Sequence, residues 1–295
     1  MRTFQQLSPL RTYLRGIREE GKMVGFVPTM GALHEGHLSL VRRAKADCDV
    51  VVVSVFVNPT QFGPGEDFDA YPRPLARDQQ LASEAEADAM FSPAVEEMYP
   101  SGFQTVVDVP GLGSLLEGAH RPGHFAGVAT VVTKLLNMVQ PHRAYFGQKD
   151  YQQLLLIERV ARDLNQTADI VMVPTLREPD GLAISSRNVY LTPDERQAAP
   201  VLSRVLRQAE EQIRSGISDP QALIGELAAL IATEPLAKPD YIALVDPETL
   251  QPVKSLAETP VLVALAVRFG RTRLIDNALV APPGVTLPRI RGVKT

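Results

Sequence analysis

Residues 50–57 read Val-Val-Val-Val-Ser-Val-Phe-Val, and few architectures can hold such a run. β-Branched side chains favour extended backbone. An apolar run without an alternating polar face belongs to a strand covered on both sides, the condition of a parallel sheet between helices. The surrounding chain agrees. Residues 23–27, 89–91, 143–146 and 170–174 read as further strands, and 105–109 as another candidate. Helical patterns separate them: one from Leu38 onward, an acidic-faced one over 75–88, one over 128–139, and one around Leu154, Leu155, Ile157 and Val160. Ser8-Pro9 ahead of Leu10, Tyr13, Leu14 and Ile17 predicts a capped first helix that stops at Gly21. Strands and helices alternating over 1–175 predict an α/β domain, a Rossmann-like doubly wound parallel sheet.

After Pro174 the texture changes. A turn at 177–181 is followed by Thr192-Pro193-Asp194-Glu195, a capping box that opens a long helix to about Gly216. Asp219-Pro220 starts another helix, and 241–245, 261–268 and 274–276 read as strands. Residues 176–281 are thus expected to form a smaller α+β C-terminal domain, with 282–295 as a loose tail.

A net charge of −4 argues against a general nucleic-acid or membrane-surface binder. The single cysteine, Cys48, cannot form an intrachain disulfide. With no signal-like start and no apolar run of membrane length, the chain is expected in the cytoplasm.

The chemistry concentrates where strands end. Residues 26–40 read Phe-Val-Pro-Thr-Met-Gly-Ala-Leu-His-Glu-Gly-His-Leu-Ser-Leu: strand, tight turn, helix. Gly31 and Gly36 can take backbone angles that other residues avoid. A helix starting near Gly36 points unpaired N–H groups and a positive dipole end at the turn, which suits phosphate. His34 and His37 can donate to the same anion. The pair is not a zinc-protease motif, because the histidines stand three apart with glycine between them. Two phosphate-loop lookalikes fail. Gly16–Met23 has Met23 where a magnesium-holding hydroxyl is needed, and Gly111-Leu112-Gly113 has Leu116 at the third glycine position.

Further turns share the theme. Asn58-Pro59-Thr60-Gln61-Phe62-Gly63 follows the valine run, and a Gly- and Pro-rich loop follows to Pro74. Gly147-Gln148-Lys149-Asp150 follows the 143–146 strand, with Asp150 expected to cap the next helix. Ile184-Ser185-Ser186-Arg187 opens the second domain. The 118–127 stretch, with His120, Arg121 and His124, is basic enough to meet a phosphate or carboxylate.

Together these segments resemble one family. Pro-Thr-Met-Gly, His-x-Gly-His, Asn-Pro-x-Gln-Phe, Phe-Gly-x-Lys-Asp and Ser-Ser-Arg-Asn occur in the order shown by the pantoate–β-alanine ligases, a branch of the nucleotidyltransferase-fold enzymes. The resemblance runs to about Ala281. It implies an AMP-forming ligase that condenses pantoate with β-alanine through pantoyl adenylate, using ATP and Mg²⁺, and it implies a homodimer. It implies an ATP site from Met30, Gly31, Ala32, Leu33, His34, Glu35, Gly36, His37, Gly147, Gln148, Lys149, Asp150, Leu176, Ile184, Ser185, Ser186 and Arg187. Among these His34, His37, Lys149 and Arg187 would act in catalysis. Gln61, Gln153 and Asn58 would hold pantoate or β-alanine, and the metal ligands are left unassigned. Two rival readings are an adenylyltransferase that stops at the nucleotidyl product and a nucleotide sensor without turnover. Fold alone does not separate them.

Overall fold

The protein is described from a computed structural model covering residues 1–66 and 68–287. The tail expected at 282–295 lies outside the described residues from position 288 on. The chain forms two compact units. Among the described residues, one comprises Met1–Gly147 and Gln152–Pro174; the other comprises Gln148–Tyr151 and 175–287.

The first unit is built on strands β1 (Arg2–Phe4), β2 (Val24–Thr29), β3 (Val50–Val55), β4 (Ala89–Phe91), β5 (Arg143–Gly147) and β6 (Asp169–Val173). They form one sheet in the order β1-β4-β3-β2-β5-β6, and every pairing is parallel. Successive side chains of a strand face opposite ways, and this explains the valine run. Val52 enters a core with Phe26, Phe91, Phe125, Leu136 and Ile157, while Val51 and Val53 enter another with Leu38, Val41, Ala82 and Tyr145. The helices Leu7–Glu19, His124–Val139 and Tyr151–Asp163 supply the first core, and Glu35–Asp47 and Leu75–Glu84 the second. All three valines are fully buried. Each contributes on the order of 1.5–3 kcal/mol relative to an exposed side chain.

The strand order reverses direction between β2 and β5. From β2 the chain moves outward through β3 and β4; from β5 it moves the other way to β6. Ligands of open α/β sheets bind outside the carboxyl ends of strands at such a switch point. The segments after β2 and β3 are the two motif turns at 30–37 and 58–63.

Several expectations are corrected. Residues 105–109 form no strand; the Val107 N–H is satisfied by the Thr130 hydroxyl instead of a neighbouring strand. The first helix begins at Leu7, so Ser8 and Pro9 lie inside its first turn, and the Leu7 N–H is taken by the Glu97 carboxylate. Gly21 stops that helix with φ +72°, as expected. The helix expected from 128 starts at His124.

In the second unit β7 (Ala237–Val245), β8 (Val261–Phe269) and β9 (Thr272–Val280) form an antiparallel sheet in that order. The helices Val201–Arg214 and Pro220–Ala232 bury Leu202, Val205, Leu206, Leu223 and Leu227 with Val263 and Leu265 of β8. The capping box is present, with Glu195 N–H donating to Thr192 and the Glu195 carboxylate accepting from the Thr192 N–H. The single helix expected from it breaks into Pro193–Ala198 and Val201–Arg214. Pro200 lacks an N–H and crowds the preceding turn. Among the described residues no helix is long and apolar enough to cross a membrane.

Candidate active site

In the first unit the turn after β2 is held from three directions. The Thr29 hydroxyl donates to the Ser54 carbonyl at 2.7 Å and accepts the Gly31 N–H at 3.1 Å. The N–H groups of Ala32 and Leu33 donate to the two oxygens of Asp78, at 3.0 and 2.8 Å. Gly31 takes φ +87°, and a Cβ there would stand 2.8 Å from a Val55 methyl and 2.9 Å from the Asp78 carboxylate. Glycine is required at this point by both angle and space. Ala32 is also left-handed, at φ +49°, whereas Gly36 makes no use of its freedom.

The expected helix mouth is present. The helix Glu35–Asp47 starts with His34 as N-cap, in extended backbone, and His34 Nδ1 accepts the Gly36 N–H at 3.1 Å. The cap fixes a tautomer: Nδ1 is the acceptor, so the neutral ring carries its proton on Nε2. The His37 ring lies beside it, with centroids 4.0 Å apart. Both imidazoles therefore sit together at the positive end of a helix dipole. Glu35, between His34 and Gly36, is exposed and ion-paired with Arg42 at 2.9 Å.

Met30, Asn58 and Gln61 are also brought together. Gln61 Nε2 lies 3.1 Å from the Met30 sulfur, and its Oε1 accepts from Asn58 Nδ2 at 3.1 Å. Asn58 is 1 % exposed. Its amide nitrogen also donates to the Gly127 carbonyl, and its oxygen accepts from the Thr60 N–H, the Thr60 hydroxyl and the Tyr99 hydroxyl. Asn58 thus spends its hydrogen bonds on protein and orients Gln61. Gln153 stands on a partly exposed face of its helix. Its neighbour Gln152 is buried and braces the 112–117 loop through the Leu112 and Leu115 carbonyls and the Glu117 N–H.

The basic stretch at 118–127 meets a carboxylate of its own chain. Arg121 forms a two-point pair with Glu66 at 2.7 and 2.6 Å, and this hydrogen bonding holds the Glu66 carboxyl below its usual range. Arg121 also lies 3.0 Å from His124 Nε2, and His124 Nδ1 lies 2.8 Å from the Gln61 carbonyl. A guanidinium only donates. Nε2 must therefore accept, and Nδ1–H donates to Gln61. The loop residue Glu66 is linked in this way to the backbone of Gln61.

In the second unit Gln148–Asp150 is a single 3₁₀ turn, and Lys149 Nζ is 3.8 Å from the Asp150 carboxylate. The amide of Asn277 on β9 donates to the carbonyls of Gln148 and Lys149 at 3.0 and 2.9 Å. The expected ATP residues Leu176 and Ile184 meet across a small hairpin, where the Ile184 N–H donates to the Leu176 carbonyl at 3.0 Å. Arg177 in this hairpin makes a two-point pair with Asp276, at 2.6 and 3.0 Å. Beyond the hairpin Ser185 caps the short Ser186–Tyr190 turn, its hydroxyl accepting the Arg187 N–H. Leu176 is exposed; Ile184, Ser185, Ser186 and Arg187 are half-buried.

Three contributors were not read from the sequence as site residues: Asp78, and the adjacent Asp276 and Asn277. Asp78 had a detectable signal. Leu75, Asp78 and Ala82 share one helical face, so the acid sits on the apolar side of an otherwise acidic-faced helix. Burial pushes its carboxyl up, opposed by the two N–H donors.

Comparison with known proteins agrees over most of the chain. The pantoate-beta-alanine ligase family model matches residues 2–279. The pantothenate synthetase of Sinorhizobium medicae is 55 % identical over 290 residues, covering 98 % of this chain and all of that protein. The pantothenate synthetase of Pelotomaculum thermopropionicum is 55 % identical over 274 residues, covering 93 % of this chain and 97 % of that one. Among solved structures, pantothenate synthetase from Thermus thermophilus superposes with TM-score 0.90 at 51 % identity, covering 96 % of this chain and all of that one. The pantoate-beta-alanine ligase of Francisella tularensis, described as a complex with beta-gamma ATP and beta-alanine, gives TM-score 0.77 at 36 % identity, covering 95 % of this chain and 97 % of that one. A chain with this parallel sheet, this histidine-bearing helix mouth and these relatives belongs to the pantoate–β-alanine ligase family.

Proposed function

We propose that this enzyme condenses pantoate with β-alanine in two steps, with ATP cleaved to AMP and pyrophosphate. The observation that carries the reading is the mouth of the Glu35–Asp47 helix, where two imidazoles lie 4.0 Å apart beside the carboxyl end of β2. In the first step a pantoate carboxylate oxygen attacks the α-phosphorus. A new O–P bond forms, the bond to the β-phosphate oxygen breaks, and pyrophosphate leaves. In the second the β-alanine amine attacks the acyl carbon, loses a proton, and AMP departs with the former carboxylate oxygen.

Charge grows on the phosphates during the first step. We assign its stabilisation to His34, His37, Lys149 and Arg187, with Ser185 and Ser186 donating hydroxyl hydrogens. Residues 30–37 and 147–150 form the remainder of the ATP cradle, and Leu176 and Ile184 meet the adenine side. Gln61 and Gln153 take the pantoate hydroxyls and carboxylate, Gln61 also meeting β-alanine, and Asn58 serves by orienting Gln61. These donors suit anions. Among the described residues no group of three or more His, Cys, Asp or Glu side chains is placed to hold a metal. Mg²⁺ would enter with the nucleotide and would supply charge neutralisation at its phosphates.

No enzyme-bound ester is needed. Cys48 is buried against the Tyr145 hydroxyl, and burial raises its thiol pKa, so it is a poor nucleophile. Product analysis tests the scheme. With all three substrates, pantothenate and AMP are expected in equal amounts. ADP in place of AMP would replace the adenylate by an acyl phosphate, and a nucleotidyl product would favour an adenylyltransferase. We further propose a cytoplasmic homodimer. Light scattering is expected to give twice the chain mass at micromolar concentration, and a monomer would contradict it.

A further inference from the structure

We propose that Asp276 and Asn277 of β9 are the positioning residues of the second unit's phosphate-binding segments, each holding one of them. Two adjacent polar residues this deeply buried in a strand are costly unless fully satisfied. Asp276 is 2 % exposed and Asn277 5 % exposed, and on β9 they are flanked by Leu274 and Ile275 on one side and Ala278, Leu279 and Val280 on the other. Adjacent strand residues face opposite sides of a sheet, so the pair can serve two segments at once.

Asn277 spends both amide hydrogens on consecutive carbonyls, those of Gln148 and Lys149, and its oxygen lies 3.4 Å from Gln148 Nε2. A three-residue 3₁₀ turn has few hydrogen bonds of its own. The clamp fixes the peptide planes on either side of the Lys149 Cα, and with them the direction in which the ammonium leaves the backbone. Asp276 accepts the two-point pair from Arg177 and also the Asn277 N–H at 2.8 Å. Arg177 donates in addition to the Gly181 carbonyl, so Asp276 sets the hairpin from which Ile184-Ser185-Ser186-Arg187 emerges. A plain structural pair would need neither two carbonyls of the lysine turn nor an arginine from the hairpin that leads into the other motif.

The inference rests on Lys149 being a phosphate ligand, as proposed above. It is tested by a mutant cycle on the full chain, with Asn277→Asp, Lys149→Ala and the double variant. Asn277→Asp keeps the shape of the side chain, removes both donors and sets an oxygen against two carbonyls. It is expected to lower kcat/KM for ATP by about 10²-fold, the scale of a misplaced catalytic group, with KM for pantoate unchanged. In a Lys149→Ala background the same change is expected to add almost no further loss, because the group it positions is gone. Asn277→Ser, which keeps one donor, is expected to fall between and carries the same cycle if the aspartate variant does not fold. Wild-type ATP kinetics in a folded Asn277 variant, or a full multiplicative loss on top of Lys149→Ala, would overturn the assignment. Wild-type ATP kinetics in Lys149→Ala alone would instead locate the failure in the reading of Lys149 and remove the basis of the proposal.

Discussion

His37→Ala is expected to lower kcat by roughly 10²-fold or more, the scale for losing one preorganised donor to developing charge. The folded state should be little affected. His37 is half-buried on the first turn of its helix, and the capping bond is made by His34, not by His37. Steady-state kinetics beside a thermal melt checks both halves. Near-normal turnover in a folded variant would remove His37 from the chemistry. The His34 position is a less clean test, because alanine there also removes an N-cap, worth about 1 kcal/mol.

Gly127→Ala is the second substitution with a large expected effect, and its sign is informative. Gly127 lies inside the helix His124–Val139, where alanine would ordinarily stabilise by about 1 kcal/mol. Here a Cβ would stand 2.4 Å from the Thr60 carbonyl oxygen and 2.7 Å from the Gln61 Cα. Those are backbone atoms and cannot rotate away. The Pro59–Gln61 turn must move, and overpacking of this kind costs about 1–3 kcal/mol. Net destabilisation is therefore expected where propensity alone predicts a gain. Because the displaced turn carries Gln61, kcat/KM for pantoate should fall by about 10²-fold. A more stable variant with unchanged pantoate kinetics would contradict both the close packing and the role given to Gln61.

What was legible in the chain follows from the range of the interactions involved. The valine run announces a sheet covered on both faces because each residue records its own burial. His34 and Gly36 cap and start a helix within three residues, so their geometry is local. Gly31 is legible as a turn, though not the reason it must be glycine, since the crowding atoms belong to Val55 and Asp78. The partners of Asp78 lie 45 and 46 positions away, and those of Asn277 lie 128 and 129 away. Nothing in the residues of 75–84 or 272–280 names those partners. Asn58 shows a third case. Its position after a buried strand places it at the carboxyl edge of the sheet, but only the packing shows that its amide is consumed by Gln61, Gly127, Thr60 and Tyr99. Pro200 is a local signal of another kind: its missing N–H interrupts a helical pattern that continues on either side of it. The strand expected at 105–109 failed for the opposite reason: its β-branched residues favour extended backbone, but the Val107 backbone pairs with the Thr130 hydroxyl and not with a strand.

The central claim is that pantoate is activated by adenylation before β-alanine takes part. Isotope exchange between labelled pyrophosphate and ATP tests it most directly. With pantoate present and β-alanine absent, the enzyme is expected to exchange label into ATP, and omission of pantoate should abolish the exchange. Exchange that required β-alanine, or none at all under conditions where the complete reaction proceeds, would contradict the account.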